Sequence, residues 1–336
     1  MRAETSFPNE CRRSHVLPPQ RTINRLEAKI DHVALDRFRV AVLGPGGVGG
    51  LLAALMARAG DAVDVLAGEN TAQTIALRGL RVESGRFGDF HVSVNSAVRL
   101  QTEVDACFVT VKATQLDEAI ERVAADPLGD ALVVPFLNGI DHVARLRKRY
   151  SSSNVVAATI KVEVARVGPG LIRHTSPFAA VELATSPGVQ DRVEKLADHL
   201  MATGLDVTVR DDELPMLWDK LVLLAPLALL TTHERANVGE VRGRRRDDAA
   251  ALISEVAAVA GAEGGTLDAE AVVRLLDSVP AGMESSMQRD QAAGLPLELD
   301  AIGGAVLRHA ARAGIAVPVT TRFVEELRER EALLGR

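Results

Sequence analysis

A glycine-rich turn, Gly44-Pro45-Gly46-Gly47-Val48-Gly49, constrains this chain more than any other feature because of what flanks it. Before it runs Arg39-Val40-Ala41-Val42-Leu43, a β-branched apolar segment suited to a strand buried on both faces of a parallel sheet. After it comes Leu51-Leu52-Ala53-Ala54-Leu55-Met56-Ala57-Arg58-Ala59, a strong helix former that Gly60 ends as a C-cap. A second strand is expected from Ala62 to Ala67. Strand, turn, helix and strand in about thirty residues make a βαβ unit, and this context gives the G-x-G-x-x-G spacing a physical meaning. Gly44 permits the tight turn, Gly46 lets the backbone approach a pyrophosphate, and Gly49 lets helix and strand pack closely. Pro45, Gly47 and Val48 complete the loop, and a helix starting just after Val48 offers free N–H groups and a positive dipole end. All six residues are therefore expected to bind a dinucleotide.

The alternation continues. Ala106 to Val111 (ending in Lys112), Ala131 to Phe136 (ending in Asn138-Gly139), Val155 to Ala158 and Ala179 to Leu183 read as strands, with a helix over Thr114 to Ala125. Residues 190–204 read as a helix and Leu205 to Arg210 as a strand. Beyond Pro215 almost everything is helical: 215–232, 246–263, 268–278, 297–313 and a last segment after Pro318. The expected fold is α/β, a Rossmann-type doubly wound sheet over 37–210 followed by an all-helical domain over 211–336 that carries substrate and catalytic groups. Residues 1–36 look foreign to it and are expected to form a disordered extension. They hold Pro8, Pro18 and Pro19 without a continuous apolar run, which argues against a secretory signal, while Glu4 and Glu10 argue against a transit peptide.

Composition narrows the function classes. A net charge of −6 does not suit a nucleic-acid binder, and the only dense basic run, Arg242-Gly243-Arg244-Arg245-Arg246, reads as a solvated face. Cys11 and Cys107 are far apart and offer neither a disulfide framework nor metal-ligand spacing, with Cys107 in an apolar run that reads as core; this fits a reducing cytoplasm. No apolar stretch approaches the ~20 residues of a membrane helix. No His/Cys/Asp cluster has ligand spacing and no G-x-S-x-G elbow appears, which leaves metal hydrolysis and nucleophilic catalysis without support.

The ribose end of the dinucleotide is less determined. An acid about 20 positions beyond the glycines signals NAD, and a nearby arginine signals NADP. Here Gly68-Glu69-Asn70 follows the second strand, so Glu69 can bond a ribose diol; Asp64, inside the strand, reaches less readily. Arg78 and Arg81 lie further on and could accommodate a phosphate. These residues by themselves lean towards NAD.

Several separated motifs then occur in order: the glycine turn, Thr110-Val111-Lys112-Ala113, Asn138-Gly139, Leu217-Trp218-Asp219-Lys220-Leu221, Ser285-Ser286-Met287-Gln288-Arg289-Asp290, Leu297-Glu298-Leu299-Asp300 and Gly314-Ile315-Ala316-Val317-Pro318. From about Arg39 to Arg330 the chain resembles the ketopantoate reductases (2-dehydropantoate 2-reductases) of pantothenate biosynthesis. The resemblance implies NADPH as cofactor, with NADH as the alternative, a cleft between the two domains, reduction of a small 2-oxo acid to a 2-hydroxy acid, and a homodimer as the expected assembly. It makes Lys220 the proton donor, sets Lys112 and Asn138 against cofactor or substrate, and closes the site around the substrate and nicotinamide end with Ser286 and Glu298. The chemistry agrees with these types. Hydride addition to a ketone builds charge on oxygen, so a positioned acid must supply a proton. A lysine suits when burial lowers its pKa, and a carboxylate such as Glu298 can hold it in place. Taken singly, Lys220 also reads as a snorkelling helix lysine, Glu298 as an exposed acid after Pro296, and Ser286 as a helix-start residue.

The chain departs from the resembled pattern at the substrate. Asparagines four and eight residues after the lysine are here Leu224 and Ala228, a glutamine before Asn138 is Leu137, an NADP-selecting arginine is Gly68, and a further asparagine is matched only by Asn237, shifted by one. Lost amides remove hydrogen bonds that a polar substrate needs. Two alternatives to ketopantoate reduction follow: reduction of a less polar ketone or 2-oxo acid, and a non-catalytic dinucleotide-binding sensor or partner.

Overall fold

Every residue of strand β1 (Arg39–Leu43) after the first is buried, with Ala41 and Leu43 in one apolar core and Val40 and Val42 in another. A strand covered on both faces has no polar side to present, which is why its sequence is a continuous apolar run. The computed structural model describes residues 36–334. The expected disordered extension, apart from Asp36, falls outside the described residues, and Cys11 with it.

Helix α1 (Gly47–Ala59) begins inside the glycine motif, not after Val48, with Gly46 as its N-cap. There follow β2 (Ala62–Leu66), α2 (Glu69–Arg78), β3 (Leu80–Ser84), β4 (Phe90–Val92), β5 (Asn95–Ala97) and β6 (Ala106–Val109). The expected helix over Thr114–Ala125 is broken into a 3-10 turn (Ala113–Gln115), α3 (Leu116–Ile120) and α4 (Ala125–Leu128). Pro127 explains the break, since a proline has no N–H to continue a helix and fits only the first turn of a new one. Next come β7 (Leu132–Pro135), α5 (Asp141–Arg147), β8 (Ala158–Lys161), β9 (Val164–Gly168), β10 (Leu171–His174), β11 (Ala180–Ala184), α6 (Gln190–Ala202) and β12 (Asp206–Arg210).

The main sheet has the order β5-β2-β1-β6-β7 and is parallel throughout. Strand order reverses between β1 and β6, and ligands of such sheets bind outside the carboxyl ends of the strands at that reversal. The expected strand at Val155–Ala158 lies further on. Val155 makes only a single bridge to Val133, and β8 pairs antiparallel with β11 in a separate three-stranded sheet, β12-β11-β8. A third sheet, β4-β3-β10-β9, packs against α1 from the side away from β1. Buried between two sheets, α1 is apolar nearly all round, with Gly49 to Met56 all buried.

Beyond β12 the described chain is helical: α7 (Glu213–Glu234), α8 (Val238–Arg244), α9 (Arg246–Ala262), α10 (Ala269–Ser278), α11 (Ser286–Ala292), α12 (Ala305–Ala313) and α13 (Pro318–Leu334). The expected 297–313 helix contains a π-helical turn, Asp300–Gly304, just before α12. Met216, Leu217, Trp218 and Leu221 of α7 share a core with Cys107, Val109 and Val133, so these helices pack directly on one face of the main sheet. Contrary to expectation, one helix among the described residues has the length and hydropathy of a membrane span: α7 has 22 residues and contains an 18-residue stretch of mean hydropathy 1.5. Two-thirds (67%) of that stretch is buried within the structure, as the core helix of a helical bundle requires. The basic run is ion-paired, through Arg244 to Glu240, Arg245 to Glu234 and Arg246 to Asp277.

Candidate active site

At the carboxyl end of β1 the glycine turn is held from both sides. Gly44 N–H donates to the Leu66 carbonyl at 3.0 Å, and the Thr110 hydroxyl donates to the carbonyls of Leu43 (2.9 Å) and Gly44 (2.7 Å). A Cβ at Gly49 would collide with the Gly44 carbonyl oxygen and the Thr110 hydroxyl, so this glycine is needed for packing. Gly46 is different: a Cβ there would meet nothing within 4 Å. The loop is therefore tight against the protein at Gly49 and open at Gly46, which leaves space for a pyrophosphate at the α1 N-terminus. These residues fit a dinucleotide.

The second half of the site joins three residues far apart in sequence. Lys220 Nζ donates to Asn138 Oδ1 at 3.2 Å, and Asn138 Nδ2 donates to Glu298 Oε2 at 3.1 Å. The other carboxylate oxygen of Glu298 accepts the Ala113 N–H at 3.0 Å. With both ends of its amide engaged, Asn138 has a fixed orientation. The turn carrying it is equally constrained: Gly139 has φ +85°, and a Cβ there would collide with the Ala301 carbonyl in the π-helical turn. Glu298 is 5% exposed, so it is not the exposed acid that its place after Pro296 allows. It does not hold Lys220 directly, as expected from sequence, but through Asn138.

Burial pushes the Lys220 ammonium down to about 8, opposed by the Glu298 charge, reinforced by Lys161 and opposed again by Glu182. Lys220 sits on α7 with Leu217, Leu221 and Leu224 at helical spacing, and the four line a narrow crevice with Leu137, Gly139 and Thr159. The Thr159 hydroxyl is turned to Glu182 at 3.0 Å. Leu224 faces the crevice, whereas Ala228, 1% exposed, belongs to the core. The neighbours of Lys220 in its motif are structural. Trp218 is fully buried, and Asp219 accepts hydrogen bonds from Arg210 (3.2 Å) and from the Thr266 N–H and hydroxyl (3.0 Å each).

Lys112 lies at the start of the 3-10 turn after β6 and pairs with Asp290 of α11, a clasp between sheet and helices. Ser285 is the N-cap of α11, accepting the Gln288 N–H at 3.1 Å and the Thr231 hydroxyl at 2.7 Å, which leaves Ser286 at the first helical position. Asn237 caps α8 in a reciprocal capping box with Glu240 and is committed there. Thr110 and Asp290 lie within the sequence motifs, but their roles, bracing the glycine turn and pairing with Lys112, have no local signal. Lys161 and His142 carried no signal: His142 is buried with no hydrogen-bond partner for either ring nitrogen, and burial pushes it to about 3, so it is neutral.

Comparisons with known proteins agree with this architecture. The family described as ketopantoate reductase PanE/ApbA matches residues 40–188, and its C-terminal family matches residues 213–331. A 2-dehydropantoate 2-reductase of Mycobacterium tuberculosis is 32% identical, over 85% of this chain and 95% of its own. A PanE/ApbA family ketopantoate reductase structure from Ralstonia eutropha superposes with a TM-score of 0.79 at 28% identity, covering 89% of this chain and 100% of that one. The fold is shared with D-mandelate dehydrogenase in a ternary complex with NADH and anilino(oxo)acetate, with a TM-score of 0.80 at 23% identity, 88% of this chain and 99% of that one.

Proposed function

The chain belongs to the ketopantoate reductase family and is an NAD(P)H-dependent oxidoreductase; we propose that it reduces a small 2-oxo acid to the 2-hydroxy acid with Lys220 as proton donor. One observation carries this reading: an amine brought to about 8 by burial, lining a narrow crevice and oriented by Asn138 and Glu298. The bound nicotinamide supplies the hydride. As charge builds on the substrate oxygen, Lys220 Nζ gives up its proton, which its depressed pKa makes easier at neutral pH. Asn138 holds that amine in place, and Glu298 fixes Asn138 while tying the Ala113 backbone to the helical layer. Ser286, with its backbone set by the Ser285 cap, and Lys112, at the Asp290 clasp, supply further polar contacts to substrate or cofactor.

Ketopantoate is the first substrate to test, because the Mycobacterium tuberculosis relative is a 2-dehydropantoate 2-reductase. A second reading has its own observation: Leu137, Leu217, Leu221 and Leu224 surround Lys220, which favours a 2-oxo acid whose side chain has no hydroxyl to leave unpaired. Steady-state kinetics with ketopantoate, a branched-chain 2-oxo acid and an aryl 2-oxo acid separate them. The reading that wins is the one with the highest kcat/KM, and no turnover of any of the three refutes 2-oxo acid reduction. A sensor would have no use for a buried amine poised near neutrality.

A further inference from the structure

From the end of β2 we infer that this protein selects NADH over NADPH, with Glu69 as the residue that discriminates. The inference rests on the dinucleotide reading of the glycine turn. Strand β2 lies beside β1 in register, Leu66 opposite Leu43, and the Leu66 carbonyl accepts the Gly44 N–H at 3.0 Å. The chain leaving β2 is thus fixed to the pyrophosphate loop, at the place where a Rossmann sheet presents its ribose-binding residue. Glu69 occupies it as the first residue of α2. Its side chain is exposed and makes no hydrogen bond or ion pair among the described residues. A free carboxylate there accepts hydrogen bonds from the adenosine ribose diol and repels a 2′-phosphate.

The cations that would reverse this choice are held elsewhere or too far away. Arg78 is nine residues along α2, about 14 Å at 1.5 Å per residue. Arg81, on β3, lies 3.7 Å from Glu83. Arg99, beyond β5, donates to the Glu121 carbonyl at 3.0 Å. The other acid nearby, Asp64, is engaged by the Thr102 hydroxyl at 2.9 Å, which leaves Glu69 as the available carboxylate. Gly68 completes the argument. Its φ of −65° is open to any residue and a Cβ there would meet nothing within 4 Å, so the fold leaves room for a cationic side chain that the sequence does not supply.

The test is a binding titration of the full chain with NADH and with NADPH, followed by nicotinamide fluorescence without any 2-oxo acid. The expected result is a Kd for NADPH at least about tenfold above that for NADH. Glu69→Gln narrows the ratio by relieving the repulsion, and the double variant Gly68→Arg with Glu69→Gln inverts it. Both positions are exposed, so neither variant threatens folding, and retained binding of one dinucleotide confirms an intact site. Equal or tighter binding of NADPH by the unaltered protein overturns the selectivity alone, as does an unchanged ratio in Glu69→Gln. Failure to bind either dinucleotide overturns the cofactor reading and this inference with it.

Discussion

Replacing Lys220 by methionine should make the protein more stable and nearly inactive, and the two effects have one cause. In the folded chain the amine titrates at about 8, whereas an unfolded lysine titrates at 10.5. Below pH 8 the ammonium is charged in both states, and its desolvation in the fold costs about 3 kcal/mol at 1.36 kcal/mol per tenfold change in acidity constant. Between pH 8 and 10.5 the unfolded chain binds more protons, so this group makes stability rise with pH, and above 10.5 the cost is gone. Methionine keeps most of the stem and removes the charge. It also strands Asn138 Oδ1, the acceptor at 3.2 Å, which gives back about 1 kcal/mol. The net expectation is a variant about 2 kcal/mol more stable at pH 7, with the advantage fading as pH rises through 8 towards 10.5. Urea unfolding of both proteins by circular dichroism across that range measures the difference and cancels the titration of every other group. Loss of the proton donor should lower kcat about 10²- to 10⁴-fold. A variant no more stable than its parent at pH 7, or a difference flat from pH 7 to 10.5, refutes the claim that Lys220 is a destabilised buried charge.

Two charge removals should move the alkaline limb of the rate–pH profile in opposite directions. Glu298→Gln takes away the charge that raises the Lys220 pKa and shifts the limb to lower pH, and Lys161→Met takes away one that lowers it and shifts the limb up; a common direction in kcat measured from pH 6 to 10 contradicts the assignment. Gly46→Ala should leave thermal stability within about 1 kcal/mol because nothing faces its Cβ, yet weaken dinucleotide binding at least about tenfold. Gly49→Ala should unfold at markedly lower temperature by forcing apart α1 and Thr110, a contrast that calorimetry and a binding titration read together. Leu224→Asn, at the crevice, should raise kcat/KM for ketopantoate relative to an apolar 2-oxo acid, and no change in that ratio removes Leu224 from substrate selection.

The βαβ unit was legible because its signals are local. β1, the Gly60 cap and β2 each follow from a few consecutive residues, and the structure places them within a residue or two of expectation. The sheet over α1 was not legible. β9 reads Val164-Ala165-Arg166-Val167-Gly168, with intermediate or exposed positions throughout, and β4 has only three residues. Such edge strands bury little apolar surface of their own and exist because α1 offers a second apolar face to cover, a tertiary reason that no short window of sequence contains. The displaced strand near Val155 fails in the same way. Val155, Val156 and Ala157 are as buried as a strand, but they join β7 only at Val133, through one bridge and the Val156 N–H, and pairing with β11 selects the later residues Ala158–Lys161.

The candidate site divides along the same line. Residue types could be named in advance because proton donation needs an amine or its equivalent, and a glycine turn on a strand end needs a phosphate to explain it. Connectivity could not. Lys220, Asn138 and Glu298 come from α7, the loop after β7 and the segment before the π-helical turn, and nothing in their spacing shows that the carboxylate acts through the amide. That intermediary matters chemically. A carboxylate in direct contact would stabilise the ammonium and hold its pKa high, whereas one bonded to the far end of an amide fixes the geometry while leaving burial to dominate. The amine at about 8 is the result, and it follows from Asn138 standing between the two charges. An Asn138→Asp substitution would put a second carboxylate against the amine and raise its pKa, so the alkaline limb should move up even as kcat falls. A limb that stays in place would show that the alkaline limb is not the titration of Lys220.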